Sequence, residues 1–235
     1  PGWKAWWAAN GDNFLAGRAR DDSAGTETAE PPRLPTFYGF TVTSKRVVFI
    51  MDRSTSMESQ TTYKPAGGKP GQDKPEGNQL FHIARFELRT VIRMLPEDTL
   101  FNVVMFSDGT RVWQPTLVPA SRANREAAVA WIQATPPSGN TNTFDALETA
   151  FQIRGPSSDK RREQGADTIF LVSDGIPTVG RLIDPNMILM ELGRMNRTRR
   201  VRVNTVAIGD ALAGTDADFL KKMAEQNQGS FAWRK

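Results

Sequence analysis

Asp52, Ser54 and Ser56 stand at alternate positions in Asp52-Arg53-Ser54-Thr55-Ser56-Met57, directly after the apolar run Val47-Val48-Phe49-Ile50-Met51. A chain leaving a strand in semi-extended form points alternate side chains the same way. One carboxylate and two hydroxyls would then converge. All are hard oxygen donors, which suit Mg²⁺, Mn²⁺ or Ca²⁺ better than a soft metal. Two other segments carry matching chemistry. Ser138-Gly139-Asn140-Thr141-Asn142-Thr143 offers hydroxyls ahead of a helical pattern, and Ser173-Asp174-Gly175 offers a carboxylate after another apolar run. The plain alternative is local. Asp52 and Ser54 could cap a loop or helix start, Thr141 or Thr143 could cap the helix that follows, and Ser173-Asp174-Gly175 could be a turn.

Those segments need a frame that brings them together. Continuous apolar runs at 46–51, 100–106, 168–172 and 202–208 read as strands buried on both faces. The segment 37–42 reads as a further strand, 111–113 and 230–233 as short ones. Helical spacing marks 80–95, which Pro96 ends, and also 122–134, 143–154, 186–198 and 216–226. Strands alternating with helices imply a Rossmann-like, doubly wound α/β fold with a mostly parallel central sheet flanked by helices. Such sheets bind ligands at the C-terminal ends of their strands, near a switch in strand order. Asp52 and Asp174 would lie on that edge.

Trp3, Trp6 and Trp7 fall on one face of a short N-terminal helix, read as a packing face. A Gly-, Pro- and acid-rich linker follows. We therefore expect residues 1–35 to form a helix and linker, and 36–235 a domain with a mobile polar insertion at 58–79.

Composition excludes several functions. The 235 residues hold 30 basic and 26 acidic side chains, and the net charge of +4 is small for the length. Arg194, Arg197, Arg199, Arg200 and Arg202, and Lys160-Arg161-Arg162, read as solvated faces. No aromatic pattern accompanies them, so no nucleic acid partner is expected. With no cysteine, disulfides and thiolate-bound zinc are ruled out, and the compartment stays open between cell envelope and cytoplasm. No apolar run approaches the roughly 20 residues that span a bilayer. The chain opens on Pro1 without a signal-peptide pattern and is read as a fragment or processed piece. Its one histidine, His82, lies in an amphipathic helix as a boundary residue. Phosphate-cradle and nucleophile-elbow motifs are missing.

Three motifs in order, Asp-x-Ser-x-Ser after an apolar strand, Gly-x-Thr-Asn-Thr ahead of Asp-Ala-Leu, and Ser-Asp-Gly after a strand, resemble the von Willebrand factor A domain over roughly residues 37–235. The resemblance implies a metal-ion-dependent adhesion site. Asp52, Ser54 and Ser56 match its first loop, Thr141 the second and Asp174 the third. It implies a Mg²⁺-type ion held by the serines with Thr141 or an aspartate, waters completing the shell, and one position left for a partner's Glu or Asp. A metal-dependent protein-interaction module, not an enzyme, is the expectation. The alternatives are a metal-assisted hydrolase or phosphoryl-transfer enzyme, and a scaffold with a purely structural metal. Thr55 replaces the glycine common between the two serines, and the 58–79 insertion is a second departure. The Trp-rich opening, linker and Phe37-Tyr38-Gly39 are also similar to the region after HEAT-type repeats in some bacterial, notably planctomycete, A-domain proteins.

Overall fold

Side chains alternate across β3 (Arg46–Asp52), so Val47, Phe49 and Met51 enter one core and Val48 and Ile50 another. That double burial explains why the run carries no polar alternation. The computed structural model describes residues 34–65, 74–155, 164–210 and 214–235. Of the helix and linker expected over residues 1–35, residues 1–33 lie outside the described residues.

The remaining elements follow in order. A hairpin of β1 (Thr36–Phe37) and β2 (Phe40–Thr41) precedes β3. Then come α1 (Leu80–Met94), β4 (Leu100–Phe106), β5 (Thr110–Val112), β6 (Val118–Pro119), α2 (Arg122–Gln133), α3 (Thr143–Gln152), β7 (Thr168–Ser173), α4 (Pro185–Asn196), β8 (Arg202–Ile208), α5 (Gly214–Gln226) and β9 (Phe231–Arg234). The main sheet runs β5-β4-β3-β7-β8-β9, with β6 also on β4. The β3–β4, β3–β7, β7–β8 and β8–β9 pairs are parallel, while β5 and β6 run antiparallel to β4. The sheet is mostly parallel, as the sequence pattern predicts.

Helices cover both faces. Phe49, Phe101, Val103 and Phe170 pack under α1 and α2, together with Leu88, Val91, Ala128 and Ile132. Val48, Ile50, Ile169 and Val203 pack under α3, α4 and α5 through Phe144, Leu147, Ile188 and Leu220. The chain leaves β3 for its neighbour β4 and later returns to β7 on the other side. The C-terminal end of β3 is therefore the switch point where such sheets form a crevice.

Some local expectations change. The strand read over 37–42 is instead a tight hairpin. Thr36 pairs with Thr41 and Phe37 with Phe40, and the two central residues, Tyr38 and Gly39, have φ of 49° and 84°. Positive φ at both central positions matches the right-handed strand twist. The two-residue β6 carries no sequence pattern of its own. Asp184 caps α4 by accepting from the Met187 N–H at 2.9 Å, with Pro185 in the first turn. The described ends of the 58–79 insertion are tied to the domain: Thr61 N–H donates to the Asn78 carbonyl, and Asp210 accepts from Thr61 and Thr62. No helix among the described residues is long and apolar enough to cross a membrane.

Candidate metal centre

Asp52 is the last residue of β3 and fully buried. Its two carboxylate oxygens are used separately. Oδ1 accepts from the Ser54 N–H at 2.8 Å, and Oδ2 accepts from the Ser173 hydroxyl at 2.6 Å. Ser173 ends β7, the parallel neighbour of β3, so the bond joins the C-terminal tips of two adjacent strands. The sequence reading put Ser173 just after the strand, beside the carboxylate of Asp174, and gave it no role of its own. Its signal was a small polar residue closing an apolar run.

Beyond β3 the chain forms a single 3-10 turn, Thr55–Glu58, anchored by buried Met57. Ser54 occupies the position before that turn, yet its side chain makes no capping bond. Its hydroxyl instead lies 3.0 Å from the Ser56 hydroxyl, which donates to Asp174 Oδ1 at 2.9 Å. Four of the five residues singled out by the sequence thus form one hydrogen-bonded group. The capping explanation fails for Ser54.

Thr141 reaches the same edge through its backbone. Gly139, at φ 76°, turns its carbonyl to accept from both the N–H and the hydroxyl of Thr55, at 2.9 and 3.0 Å. The threonine that replaces glycine between the serines is a strut between two loops. On its other side, Thr141 donates its N–H to the Thr178 hydroxyl at 3.0 Å and accepts from the Thr178 N–H at 2.9 Å. Thr178 lies in the loop that follows Asp174, so the 139–141 segment is tied to both neighbouring loops. Asn142, not Thr141 or Thr143, caps α3 by accepting from the Asp145 N–H. That leaves the Thr141 side chain out of the capping role.

Asp108, unremarked in the sequence, holds this segment from below. Its Oδ1 accepts from the N–H and the side-chain amide of Asn140 at 3.1 and 2.8 Å, and these bonds hold its carboxyl below the usual range. The Thr143 hydroxyl is buried at the start of α3 without a hydrogen-bond partner.

The two carboxylates are electrostatically uncomfortable together. Burial, and then the charge of Asp174, push Asp52 up to about 7, against the pull of its Ser173 and Ser54 hydrogen bonds. Burial also raises Asp174. A nearby dication would relieve both effects. Among the described residues no three His, Cys, Asp or Glu side chains cluster. The available donors are two carboxylates and serine hydroxyls, a hard oxygen set that fits Mg²⁺ or Ca²⁺ and does not fit a thiolate- or imidazole-seeking metal.

Comparison with known proteins agrees with this architecture. The family model for the von Willebrand factor type A domain matches residues 78–232, which include the Thr141 and Asp174 loops. Human inter-alpha-trypsin inhibitor heavy chain H4 is 31% identical over 144 residues, covering 60% of this chain and 13% of that protein. Heavy chain H1 of Bos taurus is 28% identical over 188 residues, covering 79% of this chain and 18% of its own. This chain thus spans a small part of the curated relatives. Among solved structures, a von Willebrand factor type A protein from Catenulispora acidiphila superposes with a TM-score of 0.61 at 19% identity, covering 83% of this chain and 39% of that one. Proximal thread matrix protein 1 from the mussel byssus, with a zinc-occupied MIDAS motif, gives 0.51 at 17% identity, covering 80% and 41%. At these identities the structures speak for the fold. From the extent of the family match and the agreement in fold, the chain belongs to the von Willebrand factor type A domain family.

Proposed function

We propose that this chain is a metal-dependent protein-interaction module, not an enzyme, and that Asp52, Ser54, Ser56, Thr141 and Asp174 hold a Mg²⁺-type ion, with Mn²⁺ or Ca²⁺ as substitutes. The hydrogen-bonded group Ser173–Asp52–Ser54–Ser56–Asp174 at the switch point of the sheet carries the reading. Membership of the von Willebrand factor type A domain family and similarity to the inter-alpha-trypsin inhibitor heavy chains support an interaction role. The zinc-occupied motif of the mussel protein supports a divalent ion at this place in the fold. When bound, the ion supplies positive charge with a free coordination position, which recruits an Asp or Glu carboxylate of a protein partner.

The chain's own residues set the geometry. Ser173 fixes the orientation of buried Asp52, and that leaves the exposed Ser56 and the half-buried Asp174 facing solvent at the crevice. Catalysis would need a positioned base. His82, the single histidine, packs against Gly77 with its Nδ1 buried and unbonded.

The test is calorimetric titration of Mg²⁺ into the chelator-stripped chain, alone and with peptides carrying a central Glu or Gln. Saturable binding, lost in Asp52→Ala, with the Glu peptide retained only when the ion is present, is expected. Equal peptide binding in chelator and in Asp52→Ala would sink the proposal. Turnover of ester or phosphoester substrates that disappears in Asp52→Ala would favour the enzyme alternative.

A further inference from the structure

At the edge of the sheet opposite Asp52, a cavity of about 320 Å³ opens among Arg46, Arg154 and Arg199, walled by Ala150, Phe151 and Gly165. Arg46 begins β3, whose seven residues separate it from Asp52 by roughly 20 Å. Arg154 follows α3, and Arg199 lies between α4 and β8.

The three guanidiniums are unevenly balanced. Arg46 donates from Nε to the Gly165 carbonyl at 2.8 Å and has Asp167 beside it at 3.7 Å. Arg154 donates to the Phe151 carbonyl at 2.7 Å, and Arg199 donates to that same carbonyl. Two cations thus converge on one neutral acceptor. Among the described residues neither has a carboxylate partner within ion-pair distance. Burial and the charge of Arg154 hold Arg199 below the usual arginine range.

The plain explanation is that these arginines cap the C-terminus of α3, whose last carbonyls favour cations. The charge count decides against that as the whole account. A helix end carries about −0.5 charge. With Asp167 added, the three guanidiniums still leave, among the described residues, an excess of roughly +1.5 around a polar cavity. Each guanidinium also has five N–H donors in a planar fork, and Arg154 and Arg199 each spend one on Phe151.

We infer that this cavity binds a phosphate monoester, with the forks of Arg154 and Arg199 on its oxygens and Arg46 supplying further positive charge. Paired guanidinium forks match phosphate oxygens in geometry and charge. The half-buried Ala166 in the lining offers apolar wall for the organic group. The site is independent of the metal centre and stands or falls separately from it.

The experiment is calorimetric titration of the 235-residue chain at fixed ionic strength with inorganic phosphate, with a phosphoserine peptide, with its serine counterpart and with acetate. Saturable binding of phosphate or the phosphopeptide is expected, at least tenfold tighter than acetate and unchanged in Asp52→Ala. Comparable affinity for inorganic phosphate and the phosphopeptide would identify a free phosphate compound as the ligand; clear preference for the phosphopeptide would identify a phosphorylated side chain. Arg199→Gln and Arg154→Gln should each weaken binding at least tenfold. Arg199→Lys, which keeps the charge and loses the fork, should weaken it too. Circular dichroism of each variant checks folding. Absence of phosphate-selective binding, or undiminished binding in folded Arg154→Gln and Arg199→Gln, overturns the inference.

Discussion

Ser173 donates its hydroxyl to Oδ2 of Asp52 across 2.6 Å, and so locks the last residue of β7 to the last residue of β3. The other oxygen of Asp52 is occupied by the Ser54 N–H. The side chain that most needs a fixed orientation has little freedom to turn. Residues that orient a ligand through a hydrogen bond typically change metal affinity 10- to 100-fold when removed. Ser173→Ala should therefore weaken Mg²⁺ binding by at least about tenfold, read by calorimetry, while circular dichroism shows the fold intact. Unchanged affinity would mean that Asp52 does not need this partner.

Acidity should expose the strain between the carboxylates. The folded, ion-free Asp52 is raised to about 7 from 3.8, by burial first and Asp174 second. A raised carboxylate keeps its proton when folded and loses it when unfolded, so stability falls as pH rises from about 4 to about 7. The shift corresponds to roughly 4 kcal/mol at its upper bound. In chelator, Tm should decline over that window and level off above it. Mg²⁺ should raise Tm more at pH 7.5 than at pH 5. A Tm that climbs through the same window in chelator would contradict the assignment.

Gly139 is a sharper local test. Its φ of 76° is disfavoured for any other residue, and an added Cβ would meet Asp108 Oδ2 at 2.1 Å. Left-handed backbone alone costs roughly 1–2 kcal/mol. Gly139→Ala should lower stability by about that much and weaken Mg²⁺ binding by displacing the Thr141 segment. Gly109→Ala meets nothing within 4 Å and serves as the control. Denaturant melts and Mg²⁺ titrations of both variants provide the measurement.

Asp210 clasps the stem of the 58–79 insertion through Thr61 and Thr62. Asp210→Ala should speed limited proteolysis within the insertion several-fold and leave global Tm nearly unchanged. A cooperative loss of Tm would instead show that the clasp supports the whole domain.

The sequence made the frame legible where physics acts locally. Val47–Met51 and Ile169–Val172 are apolar on both faces because helices cover both, and the strand ends therefore bring Asp52 and Ser173, the first polar residues that follow, to the C-terminal edge of the sheet, with Asp174 next to Ser173. Alternation at Asp52, Ser54 and Ser56 was visible for the same reason. Partners fixed by tertiary contact were not. Asp108 meets Asn140 from 32 positions away, and Thr178 meets Thr141 from 37. Nothing periodic marks either. The Tyr38–Gly39 hairpin was hidden because aromatic and β-branched neighbours outweigh one glycine in a strand reading. Asn142 displaced the two threonines beside it as the cap of α3, a choice that composition alone leaves open.

The parallel pairing of β3 with both β4 and β7 bears on the order of events during folding. The Ser173–Asp52 bond spans 121 positions, and both strands must be in register before it forms. Closing so long a loop is entropically costly, and parallel pairings are slow for that reason. In refolding from denaturant, helix signal should recover early and the capacity to bind a cation late. Cation uptake would then act as a clock for completed chain topology, and a folding intermediate that lacks the β3–β7 pairing would be blind to the ion.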